Sequence, residues 1–230
     1  MISLLDKCLL SENPVEYFYH GYNLIPQFRD WISKTIPEVA LCEKQKQNNP
    51  WHKYNVLGHI LHSVKAMNEL SKKFPKNCRR MLAYAMFFHD LGKPACHIVR
   101  QKQGKMIDSF FNHNIESARI AREKLPLLGF SKGEVAIIEK LVFKHDIFMF
   151  IKPYPTTNKH WRVLSKKLIF EEIQDLDEVG DGKQLLKFLV MIGRADNMAQ
   201  NETMTDLSLL DKFDKMLEEF DSVRYEKERI

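Results

Sequence analysis

Met81-Leu-Ala-Tyr-Ala-Met-Phe-Phe-His-Asp-Leu-Gly-Lys-Pro94 is the stretch on which the reading of this chain turns. From Cys78 to Leu91 the residues are apolar nearly all round. That pattern predicts a central helix buried on every side. Gly92-Lys93-Pro94 closes it, because glycine ends helices easily and proline cannot continue one. A His-Asp pair at the end of so apolar a helix is costly. A buried carboxylate must be paired or must bind a cation. A divalent metal ion offsets that cost, and adjacent His and Asp side chains can both reach one. Taken alone, the dipeptide could equally be a chance pairing at a helix end.

Working outward, similar residues stand on other predicted helices. His59 lies in an amphipathic helix over Tyr54 to Phe74, with Val56, Leu57, Ile60, Leu61, Val64, Met67 and Leu70 on its apolar positions. Asp196 lies in a strong helix over Gln184 to Gln200, another carboxylate on an apolar background. His113 and His145 flank further helices, Asn114 to Leu125 and a helix opened by the Ser131 to Glu134 capping box. Nitrogen and oxygen donors spread over several helices suit a hard or borderline ion, not a thiolate site.

The remaining periodicities are also helical. Leu4, Leu5, Cys8 and Leu9 give a short amphipathic segment. Tyr17 to Ile36 reads as one helix, a further helix falls around His160 to Ile173, and Asp206 to Arg229 reads as a final amphipathic helix. Leu41 to Pro50 is polar and reads as a linker. It sets a soft boundary between an N-terminal helical extension, 1–48, and a main domain, 49–230. The exception is the segment near 97–110. There HIVR and KMIDSFF flank a Gly-containing turn and predict a small β-hairpin. The fold class is therefore all-α, a helical bundle with one hairpin.

The bulk numbers agree with a globular domain: 230 residues, 44% hydrophobic and 28% charged. A net charge of +5 is compatible with a phosphate-bearing ligand but too small to argue for nucleic acid alone. Cys8, Cys42, Cys78 and Cys96 form no CxxC pair, so reduced, cytoplasmic thiols are expected. No stretch approaches the ~20 apolar residues of a membrane span, and the first residues do not resemble a signal peptide.

The order His59…His89-Asp90…His113…His145…Asp196 resembles the HD phosphohydrolase superfamily, whose signature is H…HD…D. The resemblance runs from about Asn49 to Asn201. Asn49-Pro-Trp-His-Lys-Tyr-Asn-Val-Leu-Gly-His59, the HDLGKP run, the hairpin, Phe111-Asn-His113 and Ala195-Asp-Asn-Met-Ala-Gln-Asn201 are most similar to the HD domain of bacterial CCA-adding tRNA nucleotidyltransferases. No nucleotidyltransferase motif stands upstream, so the chain resembles a freestanding HD module. Two departures bear on substrate. Gly58 precedes His59 where relatives often carry an acid, and Asn112 and Asn114 flank His113 where relatives often show Gly and an acid.

The resemblance implies an HD-type metal-dependent phosphohydrolase of the HDxGK subgroup, with one or two divalent ions (Mn, Mg, Ni, Co or Fe). His59, His89, Asp90 and Asp196 would hold one ion. Asp90 would bridge to a second, completed by His113 and His145. Lys93 would steady a phosphate oxygen, with Arg194 a weaker candidate and His62, one turn from His59, a further substrate contact. His52 falls near the mouth of such a site. The expected substrates are nucleotide or RNA-end phosphoesters, by a 2′,3′-cyclic phosphodiesterase or phosphatase activity. The alternatives are a dNTP or nucleoside-monophosphate hydrolase, disfavoured by Lys93 where those enzymes place a Glu, and a non-catalytic nucleotide- or RNA-binding HD module. A signalling phosphodiesterase of the HD-GYP type ranks last, since no GYP tripeptide is present.

Overall fold

The computed structural model describes residues 1–155, 157–221 and 225. They form an all-α bundle of eleven α-helices with two small two-stranded sheets. No helix among the described residues is long and apolar enough to cross a membrane.

The centre is α6 (Lys76–Phe88), every residue of which from Leu82 to Phe88 is buried. It packs against α5 (Val56–Leu70), α8 (Lys132–Lys144) and α10 (Gly182–Met198). Burying a large apolar side chain contributes about 1.5–3 kcal/mol, so this run is a substantial part of the core that stabilises the bundle. Around it lie α1 (Ile2–Leu9), α2 (Pro14–Leu24), α3 (Pro26–Thr35) and α4 (Glu38–Lys44). Their apolar side chains, Leu5, Leu9, Phe18, Phe28 and Ile36 among them, belong to the same continuous core. Asp6 ties α1 to α6 by accepting from Arg80 Nε at 2.9 Å and Tyr84 Oη at 2.8 Å.

Several elements depart from the sequence expectation. The helix expected from Tyr17 to Ile36 is two helices. Pro26 has no N–H to continue the ladder and forces Ile25 into an extended conformation, φ −114° and ψ 93°. Helix α4 extends into the expected linker as far as Lys44, because Val39 and Cys42 are buried. Gly92 does not take a left-handed cap conformation; its φ is −78°. Glycine is needed there for space, since a Cβ would meet His113 O and Ser117 N at 2.6 Å.

The hairpin is formed by β1 (His97–Lys102) and β2 (Lys105–Phe110), antiparallel, with Gln103 and Gly104 both at positive φ in the turn. Helix α7 (His113–Lys124) follows, entered through Asn112 at φ 63°, a conformation that asparagine tolerates well. Helix α8 carries the full Ser131–Glu134 capping box. The chain then makes a second pairing that no residue pattern announces: β3 (Ile151–Lys152) runs parallel to β4 (Arg162–Val163). So α9 (Lys166–Asp177) starts later than expected, at its Ser165 cap. Helix α11 (Ser208–Glu218) closes the described fold; most of the expected remainder, at 222–224 and 226–230, lies outside the described residues.

Candidate metal centre

Five helices converge on one cluster of histidines and aspartates. His59 projects from the first turns of α5, His89 and Asp90 continue the end of α6, His113 opens α7, His145 ends α8, and Asp196 lies near the end of α10. Their donor atoms form two triads, His59–His89–Asp196 and Asp90–His113–His145, each with all ligand atoms within 4.8 Å of one another.

Asp90 joins the two. Its Oδ2 lies 3.4 Å from His59 Nε2 and 3.3 Å from His89 Nε2, whereas its Oδ1 lies 3.1 Å from His113 Nε2 and 3.8 Å from His145 Nε2. Asp196 Oδ1 stands 2.8 Å from His59 Nε2 and 3.6 Å from His89 Nε2.

The rings are set by one repeated device. Nδ1 of His89 donates to Met86 O at 2.6 Å, Nδ1 of His113 to Phe110 O at 2.8 Å, and Nδ1 of His145 to Val142 O at 2.6 Å. His59 Nδ1 does the same to Ala199 O at 3.4 Å. A carbonyl only accepts, so each Nδ1 carries a hydrogen, and each Nε2 faces the cluster, as a lone pair whenever its ring is neutral. Such outer hydrogen bonds fix the tautomer and orientation of metal-binding histidines.

These residues fit a cation. His89 Nε2 is buried between two carboxylates, 3.3 Å from Asp90 Oδ2 and 3.6 Å from Asp196 Oδ1, with no close, well-aligned partner. His113 Nε2 and His145 Nε2 face one another at 3.1 Å. The electrostatics agree. Burial alone would raise the Asp90 carboxyl, but the charges of His89 and Lys93 outweigh it and hold it well below the usual carboxylate range. Asp196 is likewise held well below, against its burial, by hydrogen bonds from His59 and His89. Burial would lower His89 and His113, yet Asp90 lifts the first and Asp146 with Asp90 lifts the second. His145 is lowered by its burial. The cluster is thus a buried anionic site that draws positive charge, as protons or as a divalent ion.

Lys93 sits at its edge, buried, with Nζ 2.7 Å from Asp90 Oδ2. It also donates to Gln47 Oε1 at 3.0 Å and lies 3.5 Å from His52 Nε2. Burial and the neighbouring Lys93 and His59 charges push His52 down to about 2, so that ring is neutral. The segment carrying Gln47 and His52 forms one wall. Asn48 exchanges hydrogen bonds with Asp108 of β2, and Trp51 O accepts from Asn201 N at 2.7 Å, beyond the end of α10.

Two candidates lie elsewhere. Arg194 turns to α11, bonding Asp211 at 2.6 Å and Asp214 at 3.2 Å. Asp196, two residues on along α10, faces the cluster, so the helix directs these two side chains apart. His62 stacks on Tyr54 at 4.1 Å and lines an open groove of about 610 Å³ with Tyr19, His20 and Lys65. The sequence reading passed over Asp146. Its Oδ2 lies 3.2 Å from His113 Nε2 and its Oδ1 3.4 Å from His145 Nε2. Its signal was present, since His145-Asp146 is a second His-Asp dipeptide at a helix end.

No family model matches the chain. Over 128 residues the chain is 29% identical to a bifunctional uridylyltransferase/uridylyl-removing enzyme of Ruegeria pomeroyi. The match takes in 50% of this chain and only 12% of that protein's length.

Proposed function

We propose that the chain is a divalent-metal-dependent phosphohydrolase of the HD type and HDxGK subgroup, acting on nucleotide or RNA-end phosphoesters by a phosphodiesterase or phosphatase reaction. The observation that carries this reading is the division of Asp90, one oxygen toward His59 and His89 and the other toward His113 and His145. A carboxylate so placed could serve an ion on either side. The similarity to a bifunctional uridylyltransferase/uridylyl-removing enzyme is compatible with phosphoester chemistry.

In this reading His59, His89 and Asp196 would hold one ion and His113 and His145 a second, with Asp90 placed to serve both. Asp146 completes the second site. Bound divalent ions supply Lewis acidity toward a phosphate oxygen and make a water acidic enough to attack phosphorus. The four histidines contribute orientation, since their Nδ1 bonds fix every Nε2 before any ligand arrives. Lys93 donates to a non-bridging phosphate oxygen and offsets charge that grows as the water attacks. Gln47 holds the ammonium in place through Oε1. The buried surroundings strengthen each of these interactions. Residues 1–48 serve as a helical extension that supports α5 and α6 from outside.

A second reading, a non-catalytic nucleotide- or RNA-binding module, draws on the 2.7 Å contact by which Lys93 already offsets one Asp90 oxygen. One experiment separates the two. Elemental analysis of the purified protein and its Asp90→Asn variant is paired with turnover of bis-p-nitrophenyl phosphate. One to two ions per chain, lost in the variant together with turnover, is the expected result. No metal and no turnover after addition of Mn, Ni, Co or Mg would overturn the enzymatic reading in favour of the binding module.

A further inference from the structure

Three cations, Arg100 and Lys102 exposed and Lys152 half-buried, lie over aromatic rings on the segments that border the candidate metal centre. Lys102 Nζ is 5.0 Å from the Trp51 ring, Arg100 Cζ 5.0 Å from the Phe111 ring, and Lys152 Nζ 3.9 Å from the Trp161 ring. Each ring is tied to the centre through its own segment. Trp51 precedes His52, whose ring lies 4.7 Å from that of His59. Phe111 leads through Asn112 directly into His113. Lys152 follows Asp146 by one short turn, and Trp161 is brought beside it by the pairing of β3 with β4.

The charges of these cations are unspent. Arg80, Arg119, Arg122, Arg162, Arg194, Lys140 and Lys144 all meet carboxylates. Arg100, Lys102 and Lys152 have no carboxylate partner among the described residues. Two of their rings are open, Phe111 56% and Trp161 39% exposed, large apolar surfaces left in water, and Trp51 is half-buried. The segment bearing Trp161 is nonetheless held firmly. Arg162 bonds the buried Glu172, whose other oxygen meets Lys144 at 2.6 Å, and Lys144 adjoins His145.

We propose that this rim binds an unpaired nucleic-acid strand, with successive bases stacked on Phe111, Trp161 and Trp51 and the backbone phosphates neutralised by Arg100, Lys152 and Lys102. Three rings, each with a cation that meets no carboxylate, supply the two things a single strand presents, base faces and phosphates. A duplex hides its base faces and offers phosphates alone, so it lacks half of what the rim provides. The inference rests on the phosphoester-hydrolase reading only for what happens to the strand at the centre; binding at the rim does not require turnover.

The test is fluorescence anisotropy with labelled oligoribonucleotides, from dinucleotide to roughly 12 nucleotides, and with a duplex of the longest. The buffer contains EDTA, so that hydrolysis plays no part. Affinity is expected to rise with strand length and to favour the single strand over the duplex. Phe111→Ala and Trp161→Ala should each weaken binding about five- to a hundredfold, while Trp161→Phe restores most of it. Arg100→Gln should make the salt dependence shallower by about 0.7 in the log–log slope. Turnover of bis-p-nitrophenyl phosphate, which is too small to reach the rim, should be unchanged in all four variants. Equal affinity for duplex and single strand, or wild-type affinity in both alanine variants, would overturn the proposal. So would capture of the protein by phosphatidylserine vesicles in place of RNA. Length-dependent binding without turnover of the chromogenic diester would keep the rim and sink the hydrolase. Turnover without such binding would do the reverse.

Discussion

The Nε2 atoms of His113 and His145 face each other at 3.1 Å although both rings have given their Nδ1 hydrogens to backbone carbonyls. Two neutral rings so held would set lone pair against lone pair. Without metal, the relief is a proton between them. Asp146 and Asp90 raise His113 against its burial, while His145 is lowered by its burial, so such a proton is favoured on His113.

A divalent ion must displace that proton and the one that Asp90 holds on His89. Both groups are raised above the ordinary histidine value of about 6.5, so both keep their protons further up the pH scale. Metal binding is therefore expected to release protons and to tighten as pH rises. At fixed metal concentration, the rise in Tm on adding Mn should be larger near pH 8 than near pH 6, because stabilisation follows affinity. Calorimetry in two buffers of different ionisation enthalpy measures the released protons directly. Equal heats in the two buffers would remove the proton from between the rings.

Asp146 lies 3.2 Å from His113 Nε2 and 3.4 Å from His145 Nε2, on the side of the second triad alone. Asp146→Asn is expected to weaken one ion of two by about 10–100-fold and leave the ion at His59, His89 and Asp196 in place. Competition with a chromogenic chelator resolves the two steps. Loss of both ions together, or of neither, would contradict a separate second site.

Lys93 is expected to matter for rate more than for metal. Lys93→Ala should retain the ion content and slow turnover about 10–100-fold, the cost of losing one well-placed donor to developing charge. Gln47→Leu should act in the same direction more weakly, since it removes the 3.0 Å bond that holds the ammonium. An unchanged kcat in both variants would take Lys93 out of the chemistry.

Gly92 is packed where no side chain fits, a Cβ meeting His113 O and Ser117 N at 2.6 Å. Both are backbone atoms at the start of α7, so the helix itself must move. Gly92→Ala is expected to cost about 1–3 kcal/mol in chemical denaturation, as overpacking does. The displaced helix carries His113, so the second ion should weaken more than the first. A stable variant with normal metal content would mean that α7 shifts without moving its histidine.

Much of this organisation is legible in the residues themselves. The apolar run into His89 and Asp90 marks both the central helix and an isolated polar pair, because burying a carboxylate demands a partner. Asp196 stands out for the same reason. Asn112 can be understood only in the structure, where it enters α7 at φ 63°. Gly58 likewise stands where a Cβ would press on the Asn55 cap at 2.8 Å. What stayed hidden was set by tertiary contact. The β3–β4 pairing is two residues long and has no periodicity to read. The break at Ile25 was visible as a proline and was overridden by a continuous apolar pattern. Asp146 forms a second His-Asp dipeptide at a helix end, where a polar residue is ordinary, and its nearness to His113 and His145 is what gives that dipeptide meaning.

Because the candidate donors come from α5, α6, α7, α8 and α10, an ion held among them would act as a clasp on five separately placed segments. Opening any one of these helices removes a ligand. Metal retention then becomes a census of assembly: a nicked, truncated or misassembled chain leaks its ion even where most of its helices survive. The exchange rate of a radioactive ion would time the least stable of the five, turning the centre into a built-in clock for local opening of the bundle.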